Sequence, residues 1–337
     1  MSSKFSSIIC LSLFVFVTSL FSGCANESEK TDFIASLPQK QLFVMDTIAT
    51  VSLDSEYATV CEDVLSGLSK ELSMFEGEGI YKLNQSGEAQ FSQRAFMLML
   101  TACAVEDSYP SVNVAGGRVT SLWKVSLSDG KIPSDEEIAD ALKTASYDNI
   151  KLDFENLKVE LENGTMVDLG SCAKGFALDI CKEELEKAAC EYGVVTLGSS
   201  TLLYGSKPDS KPFSVAVKSP DGEGIALTFE TDRSFVSTSG GYERSVEVNG
   251  ISYDHILDMS SGKPTQSNLK SVTVIADNGF VSDIAATEIY LGGTENLLYH
   301  IVSSDYYVIA IDENNKVYAS PDIEKSIKIV DKTYKMD

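Results

Sequence analysis

Histidine is almost missing from this chain: His255 and His300 are the only two in 337 residues. Two imidazoles cannot build a histidine-rich metal centre. Cysteine is equally unhelpful as a scaffold. Beyond Cys10 and Cys24 there remain Cys61, Cys103, Cys172, Cys181 and Cys190, an odd number with no Cys-x-x-Cys pair. Neither a full disulfide framework nor a zinc site is indicated. Cys61 and Cys103 fall on helix-spaced apolar stripes, where a thiol is a small core residue. Positive charge is scarce: 27 Lys and Arg stand against 50 Asp and Glu, for a formal charge of −23. Phosphate backbones need a basic face, so nucleic acid is excluded as a partner. Such acidity keeps a chain soluble. It also means that a phosphorylated ligand must be drawn in by a local positive feature or a metal.

What is present is ordinary globular material, with 43% hydrophobic and 23% charged residues, enough for one large domain or two smaller ones. The N-terminus differs. Lys4 precedes the uncharged stretch Phe5–Phe21, and Ser22-Gly23-Cys24 follows. This reads as a secretory signal. The ending resembles a bacterial lipoprotein signal, in which Cys24 is lipidated and becomes the mature N-terminus. The rival is an uncleaved anchor, although the stretch is short of the roughly 20 residues a span needs. The expected division is signal 1–23, lipidated Cys and polar tether 24–40, and one domain over 41–337, held at the extracytoplasmic face of the cell membrane.

Leu42–Leu53 alternates as β-structure around Met45-Asp46-Thr47, while Glu56–Met74, Ser92–Ser108 and Ser134–Ala145 carry helical spacing, the last behind a capping box. Turn signals at Glu155-Asn156 and Asn163-Gly164 lead to Val167-Asp168, and Ala173–Cys190 reads as a helix. From Gly193 to Ala276 short strands dominate, with Asn249-Gly250 as a type I′ hairpin turn. Helices Val281–Tyr290 and Thr294–Ser303 follow, then a terminal hairpin turning at Glu313–Asn315. The pattern predicts one α+β domain with several antiparallel pairs and helices packed on a face.

Chemistry concentrates in a few places. In Met166-Val-Asp-Leu-Gly-Ser-Cys-Ala-Lys-Gly-Phe-Ala177 a carboxylate, Asp168, stands beside a helix N-terminus, with Lys174 one turn inside. Free N–H groups and the helix dipole favour anions there. Asp283 and Thr287 share one helical face at i, i+4. Hard oxygens of that kind suit Mg²⁺, which takes one or two carboxylates plus phosphate and water; a plain helix-terminal charge and a packing Thr are the bland alternative. His255 reads either as a satisfied strand histidine or as a chemical group. Gly240-Gly241 suits a bend with positive φ.

Together these segments resemble the FAD:protein FMN transferase family (ApbE, flavin-trafficking lipoproteins). Asp168-Leu-Gly-Ser-Cys-Ala-Lys-Gly175 is similar to its Asp-Leu-Gly-Gly-Ile-Ala-Lys-Gly, and Thr238-Ser-Gly-Gly-Tyr-Glu-Arg244 to Thr-Ser-Gly-Asp-Tyr-Glu-Arg. His255-Ile-Leu-Asp258 with Gly262 and Pro264 resembles His-Ile-Ile-Asp-Pro-Arg-Thr-Gly-x-Pro, and Ser282-Asp-Ile-Ala-Ala-Thr287 resembles Ala-Asp-Ala-Leu-Ala-Thr. Met45-Asp-Thr47 is similar to an early Met-Gly-Thr, and Asn84 to the Asn after the first helix. The resemblance implies a T-fold-like core of mixed, largely antiparallel sheets. It implies Mg²⁺ on Asp283, Thr287 and the Ser171 carbonyl, and FAD held by Met45, Phe75, Asn84, Ser111, Val112, Asn113, Asp168, Lys174, His255 and Leu257. The implied reaction splits FAD, joins FMN to a Thr of an exported or membrane redox protein, and releases AMP, with His255 or a metal-side carboxylate, Asp283, taking the proton.

Departures are visible. Asn113 stands where the family has Asp, Asp258-Met-Ser-Ser-Gly262 lacks the Arg of the matching turn, and Gly198-Ser-Ser-Thr201 replaces a Gly-Gly-Asp or Gly-Gly-Asn turn. A non-catalytic FAD-binding lipoprotein and an FAD pyrophosphatase therefore stand as alternatives.

Overall fold

A computed structural model describes residues 33–337 except 243, 244, 249 and 304. The signal segment 1–23 and Cys24 lie outside the described residues. The alternating stretch near the start forms a hairpin of β1 (Gln39–Val44) and β2 (Thr47–Ser52). Met45 and Asp46 turn it at φ 49° and 56°, the left-handed pair of a two-residue type I′ turn. Seven more strands join the same sheet: β3 (Tyr192–Leu197), β4 (Ser200–Gly205), β5 (Phe235–Ser239), β6 (Leu269–Ala276), β7 (Tyr306–Asp312), β8 (Lys316–Ala319) and β9 (Lys335–Met336). Their spatial order follows the chain, and every neighbouring pair is antiparallel except β8 with β9.

β4 departs from the sequence expectation, which has only a turn at Gly198–Thr201. Gly198, at φ 61°, makes a tight turn, and Ser200–Gly205 runs back along β3. Five of its six residues are buried, so the strand shows no alternation to betray it.

Seven helices of more than one turn are described: α1 (Ser55–Leu72), α2 (Ile80–Ser86), α3 (Gln93–Ala104), α4 (Gly117–Ser128), α5 (Asp135–Leu142), α6 (Ala173–Lys187) and α7 (Gly279–Ile301). Ser92 caps α3, and Ser134 with Glu137 forms the expected capping box of α5. The two helices expected after Val281 run on as α7, broken at Gly293 (φ 62°, ψ −165°). α4 has no cap signature, which is why its start is not legible; Gly117 enters it by donating its N–H to the Met166 carbonyl at 2.9 Å.

Helices α1, α6 and α7 cover one face of the large sheet, burying Val51, Val195, Leu178, Ile284, Val274 and Ile289. A three-stranded sheet (Phe213–Lys218, Ile225–Thr231, Lys328–Ile329) covers the other, with Val215, Phe229, Ile275 and Ile309 between them. Ile34 is buried in that second core, so folded structure begins ahead of residue 41. No described helix is long and apolar enough to cross a membrane.

Candidate active site at the crossing of two helices

Helices α6 and α7 meet with their first turns side by side. Gly175 and Gly279 make this possible: a Cβ on Gly175 would stand 2.0 Å from the Gly279 carbonyl oxygen. At this approach each helix caps the other. Asp179 of α6 accepts the N–H groups of Gly279 and Phe280 at 2.7 Å each. Asp283 of α7 accepts the Gly175 N–H at 2.9 Å. Orphan amides of both helix starts are thus met by carboxylates from the partner helix. Burial pushes the Asp179 carboxyl up to about 6, against the pull of the two amides.

Asp283 is only 4% exposed. Its second oxygen accepts from Ser200 Oγ at 3.1 Å and lies 3.4 Å from Lys174 Nζ. That ammonium also donates to the Gly170 carbonyl at 3.2 Å. One turn along α7, Thr287 Oγ1 lies 3.2 Å from Ser239 Oγ and donates to the Asp283 carbonyl at 3.4 Å. Gly175 is the third residue of α6, so its N–H has no acceptor within the helix and Asp283 supplies one, while the Ser171 carbonyl lies ahead of the N-cap Cys172. Among the described residues no donor meets the Ser171 carbonyl. A carboxylate, a hydroxyl, an open carbonyl and a lysine ammonium already lying between Asp283 and Gly170 make a place that accepts a cation through hard oxygens. The donor set fits Mg²⁺. Among the described residues no group of three or more His, Cys, Asp or Glu is arranged to hold a metal, so phosphate and water would have to complete the shell.

Asp168 is half-buried in the turn before α6, where its Oδ1 accepts the Gly170 N–H at 2.9 Å. Asn84 holds that turn from behind: its amide donates to the Val167 carbonyl at 2.8 Å and its oxygen accepts the Val167 N–H at 2.7 Å. Asn84 therefore acts here as a brace on the Asp168 segment, whereas the resemblance assigns it to FAD. Cys172, the residue before α6, is buried, and its thiol is pushed up by burial and by the Asp283 carboxylate.

The segment Ser111–Asn113 is fixed by a residue that the sequence reading missed. Glu288, buried on α7, accepts from Ser111 N and Oγ at 2.8 Å each and from Val112 N at 3.2 Å. Burial raises its carboxyl. Asn113 is spent on the loop, donating to the Ala145 carbonyl at 3.1 Å and accepting the Ala115 N–H at 2.8 Å. Met45 sits in the β1–β2 turn with its N–H on Ser69 Oγ at 2.9 Å. Phe75 is 38% exposed, with Lys124 Nζ over its ring at 2.8 Å from the centroid. Leu257 is buried with Val119 and Trp123.

His255 follows the strand Ile251–Asp254 at a bend, with its side chain 42% exposed and Nδ1 3.0 Å from Asp254 Oδ1. Tyr290 of α7 donates to Asp254 Oδ2 at 3.0 Å. Asp283, Thr287 and Tyr290 thus form one stripe at i, i+4, i+7, reaching from the cation place to the His255 arm. Gly240 and Gly241 are not glycines for the expected reason, since neither has positive φ. Space requires them: a Cβ on Gly240 would lie 2.8 Å from the Lys270 carbonyl oxygen, and one on Gly241 2.6 Å from Asp254 Oδ2. A cavity of about 410 Å³ lined by Trp123, Tyr253, Gly241 and Asp254 opens beside this arm.

Over residues 45–310 the chain matches the model of the ApbE family. The chain belongs to that family. It is similar to the FAD:protein FMN transferases of Vibrio cholerae (26% identity, covering 62% of this chain and 65% of the relative) and Klebsiella pneumoniae (30% identity, 60% and 64%). Thus the chain spans about 65% of the length of these relatives. The solved ApbE protein of Thermotoga maritima superposes with TM-score 0.79 at 25% identity, over 85% of this chain and 98% of that one. The flavin transferase ApbE of Vibrio cholerae shares the fold with TM-score 0.71 at 21% identity, over 86% of this chain and 100% of that one.

Proposed function

We propose that this ApbE-family protein is an FAD:protein FMN transferase. The observation that carries the reading is the buried Asp283 at the α6 N-terminus, next to an open Ser171 carbonyl and a lysine ammonium in a place made for a cation. FAD is the substrate, and a Thr of an exported or membrane redox protein is the acceptor. The Thr Oγ–P bond forms on the FMN phosphorus as the P–O bond to AMP breaks; AMP leaves, and the Thr proton passes to a base. Mg²⁺, held by Asp283, Thr287 and the Ser171 carbonyl, would neutralise the diphosphate charge that an acidic protein cannot. Lys174, 3.4 Å from Asp283 and 3.2 Å from the Gly170 carbonyl, would add a second positive charge toward the phosphates. Met45, Phe75, Ser111–Asn113, Asp168 and Leu257 supply the surround of the flavin, with Asn84 and Glu288 holding the two loops in place. His255, exposed and with Nδ1 against a carboxylate, is the base. Cys24 behind its apolar leader would tether the domain by lipid to the outer face of the membrane.

The test is to incubate the chain from Ala25 onward with FAD, Mg²⁺ and a Thr-bearing acceptor domain, and to follow acceptor mass. A gain of one FMN moiety on Thr supports the proposal. Intact FAD retained on the protein would identify a flavin-binding lipoprotein, and FMN plus AMP free in solution a pyrophosphatase.

A further inference from the structure

We infer that Ser200 is a positioning residue for the cation place: its hydroxyl fixes the plane of the Asp283 carboxylate and so sets how tightly that place holds a divalent cation. The inference rests on the reading of Asp283 as a cation ligand, and not on what the cation then does to substrate.

Side chains alternate between the faces of a strand, and residues paired across two strands share a face. Ser237 and Ser239 of β5 therefore point the same way, together with Ser200, which pairs with Ser237 from β4. That is the face α7 covers, where buried positions are ordinarily apolar. All three are buried: Ser200 is 0% exposed, Ser237 1% and Ser239 8%. A buried hydroxyl costs free energy unless it is hydrogen-bonded, so the partner of each one matters. Ser282 Oγ donates to the Gly279 carbonyl at 2.8 Å, which leaves Ser237 to donate to Ser282 Oγ, also at 2.8 Å. That bond ties α7 to the sheet. Ser200 has a different partner. The tight turn at Gly198 makes it the first residue of β4, and its Oγ donates to Asp283 Oδ1 at 3.1 Å.

A carboxylate turns easily about its Cβ–Cγ bond. Asp283 is held against that turn by two donors, on different oxygens and from different elements. The Gly175 N–H of α6 meets Oδ2 at 2.9 Å, and Ser200 of β4 meets Oδ1. Lys174 Nζ also lies 3.4 Å from Oδ1, but its ammonium is shared with the Gly170 carbonyl at the end of a flexible stem. An entering cation would repel it. Ser200 carries no charge, so it orients the carboxylate without competing for the place. Two carboxylate oxygens offer about four lone pairs; Gly175 and Ser200 take one on each oxygen and leave the others for a cation. Groups that orient a ligand in this way set metal affinity. With alanine at 200 only the Gly175 amide would remain as a fixed anchor, and the carboxylate would be free to turn onto Lys174.

The probe is Mn²⁺, titrated into the full chain with FAD present, the bound ion being read from loss of the free-ion electron paramagnetic resonance signal. A chain of charge −23 also gathers Mn²⁺ loosely elsewhere, so the site is defined as the binding that Asp283→Ala removes. Ser200→Ala should weaken that binding by about 10- to 100-fold. Ser237→Ala is the control, because it deletes a neighbouring buried hydroxyl bond of the same layer without touching Asp283. Its urea midpoint should fall as that of Ser200→Ala does, while its Mn²⁺ affinity stays at the wild-type value. Titrations are run at a temperature where both variants keep the wild-type circular dichroism. Equal affinity in wild type and Ser200→Ala overturns the inference, as does an equal loss in the two alanine variants. A wild type with no Asp283-dependent Mn²⁺ overturns the cation reading and the inference together. Asp283-dependent Mn²⁺ binding that Ser200→Ala weakens, in a protein that transfers no FMN, overturns the transferase reading and leaves the positioning by Ser200 standing.

Discussion

Asp179 and Asp283 exchange caps: each lies in the second turn of one helix and accepts the first amides of the other. The exchange fixes α6 against α7 in one register. It also carries Asp283 to the head of α6. The carboxylate proposed to hold the metal is therefore also one that joins the two helices.

Asp283→Ala removes the acceptor of the Gly175 amide and of Ser200. Loss of a cap costs about 1–2 kcal/mol, so urea unfolding should show a drop of that size. FMN transfer should vanish in the variant at temperatures where it remains folded.

The cap at the other helix has a pH signature. Asp179 titrates near 6 in the folded protein, above its ordinary 3.8. A raised carboxyl pKa means the fold binds the proton more tightly than the unfolded chain. Its contribution is complete below pH ~4 and is lost as pH rises through ~6, by roughly 3 kcal/mol in all. Asp179→Asn cannot titrate. The stability difference, wild type minus variant, should fall between pH 4 and 7 in parallel denaturation series.

Gly175→Ala places a Cβ 2.0 Å from the Gly279 carbonyl oxygen, a backbone atom that cannot rotate away. Overpacking of this kind costs about 1–3 kcal/mol or more. Calorimetry should show a lower Tm than for Gly67→Ala, a helix position where a Cβ meets nothing within 4 Å.

Asn84→Ala deletes both hydrogen bonds to Val167, leaving two backbone groups unmet at about 1–3 kcal/mol each. With the Asp168 turn loosened, KM for FAD should rise more than kcat falls. Glu288→Gln, which weakens the hold on Ser111 and Val112, should behave alike in steady-state kinetics.

Much of this was legible in the sequence wherever the signal is local. The i, i+4 spacing of Asp283 and Thr287, the turn from Asp168 to Lys174, the Ser134 capping box and the break at Gly293 all lie within a few residues. What escaped depends on distant pairing. Asn84 and Val167 are 83 residues apart, Ser111 and Glu288 177 apart, and neither side chain carries a pattern pointing to the other. The close approach of Gly175 to Gly279 shows in sequence as two unremarkable glycines. Asp254 and His255 are adjacent, yet strand periodicity argues against their approach to 3.0 Å, which follows only once Asp254 Oδ1 accepts the Ile256 N–H and bends the chain.

One measurement decides whether the carboxylate at the helix crossing does the chemistry proposed for it. AMP and acceptor-bound FMN are quantified in the same samples of wild type, with Mg²⁺ and with a chelator, and in Asp283→Ala. Expected are equal amounts of AMP and FMN-Thr in wild type with Mg²⁺, and neither product in the other two. AMP without labelled acceptor, or labelling that survives both the chelator and the loss of Asp283, contradicts the proposal.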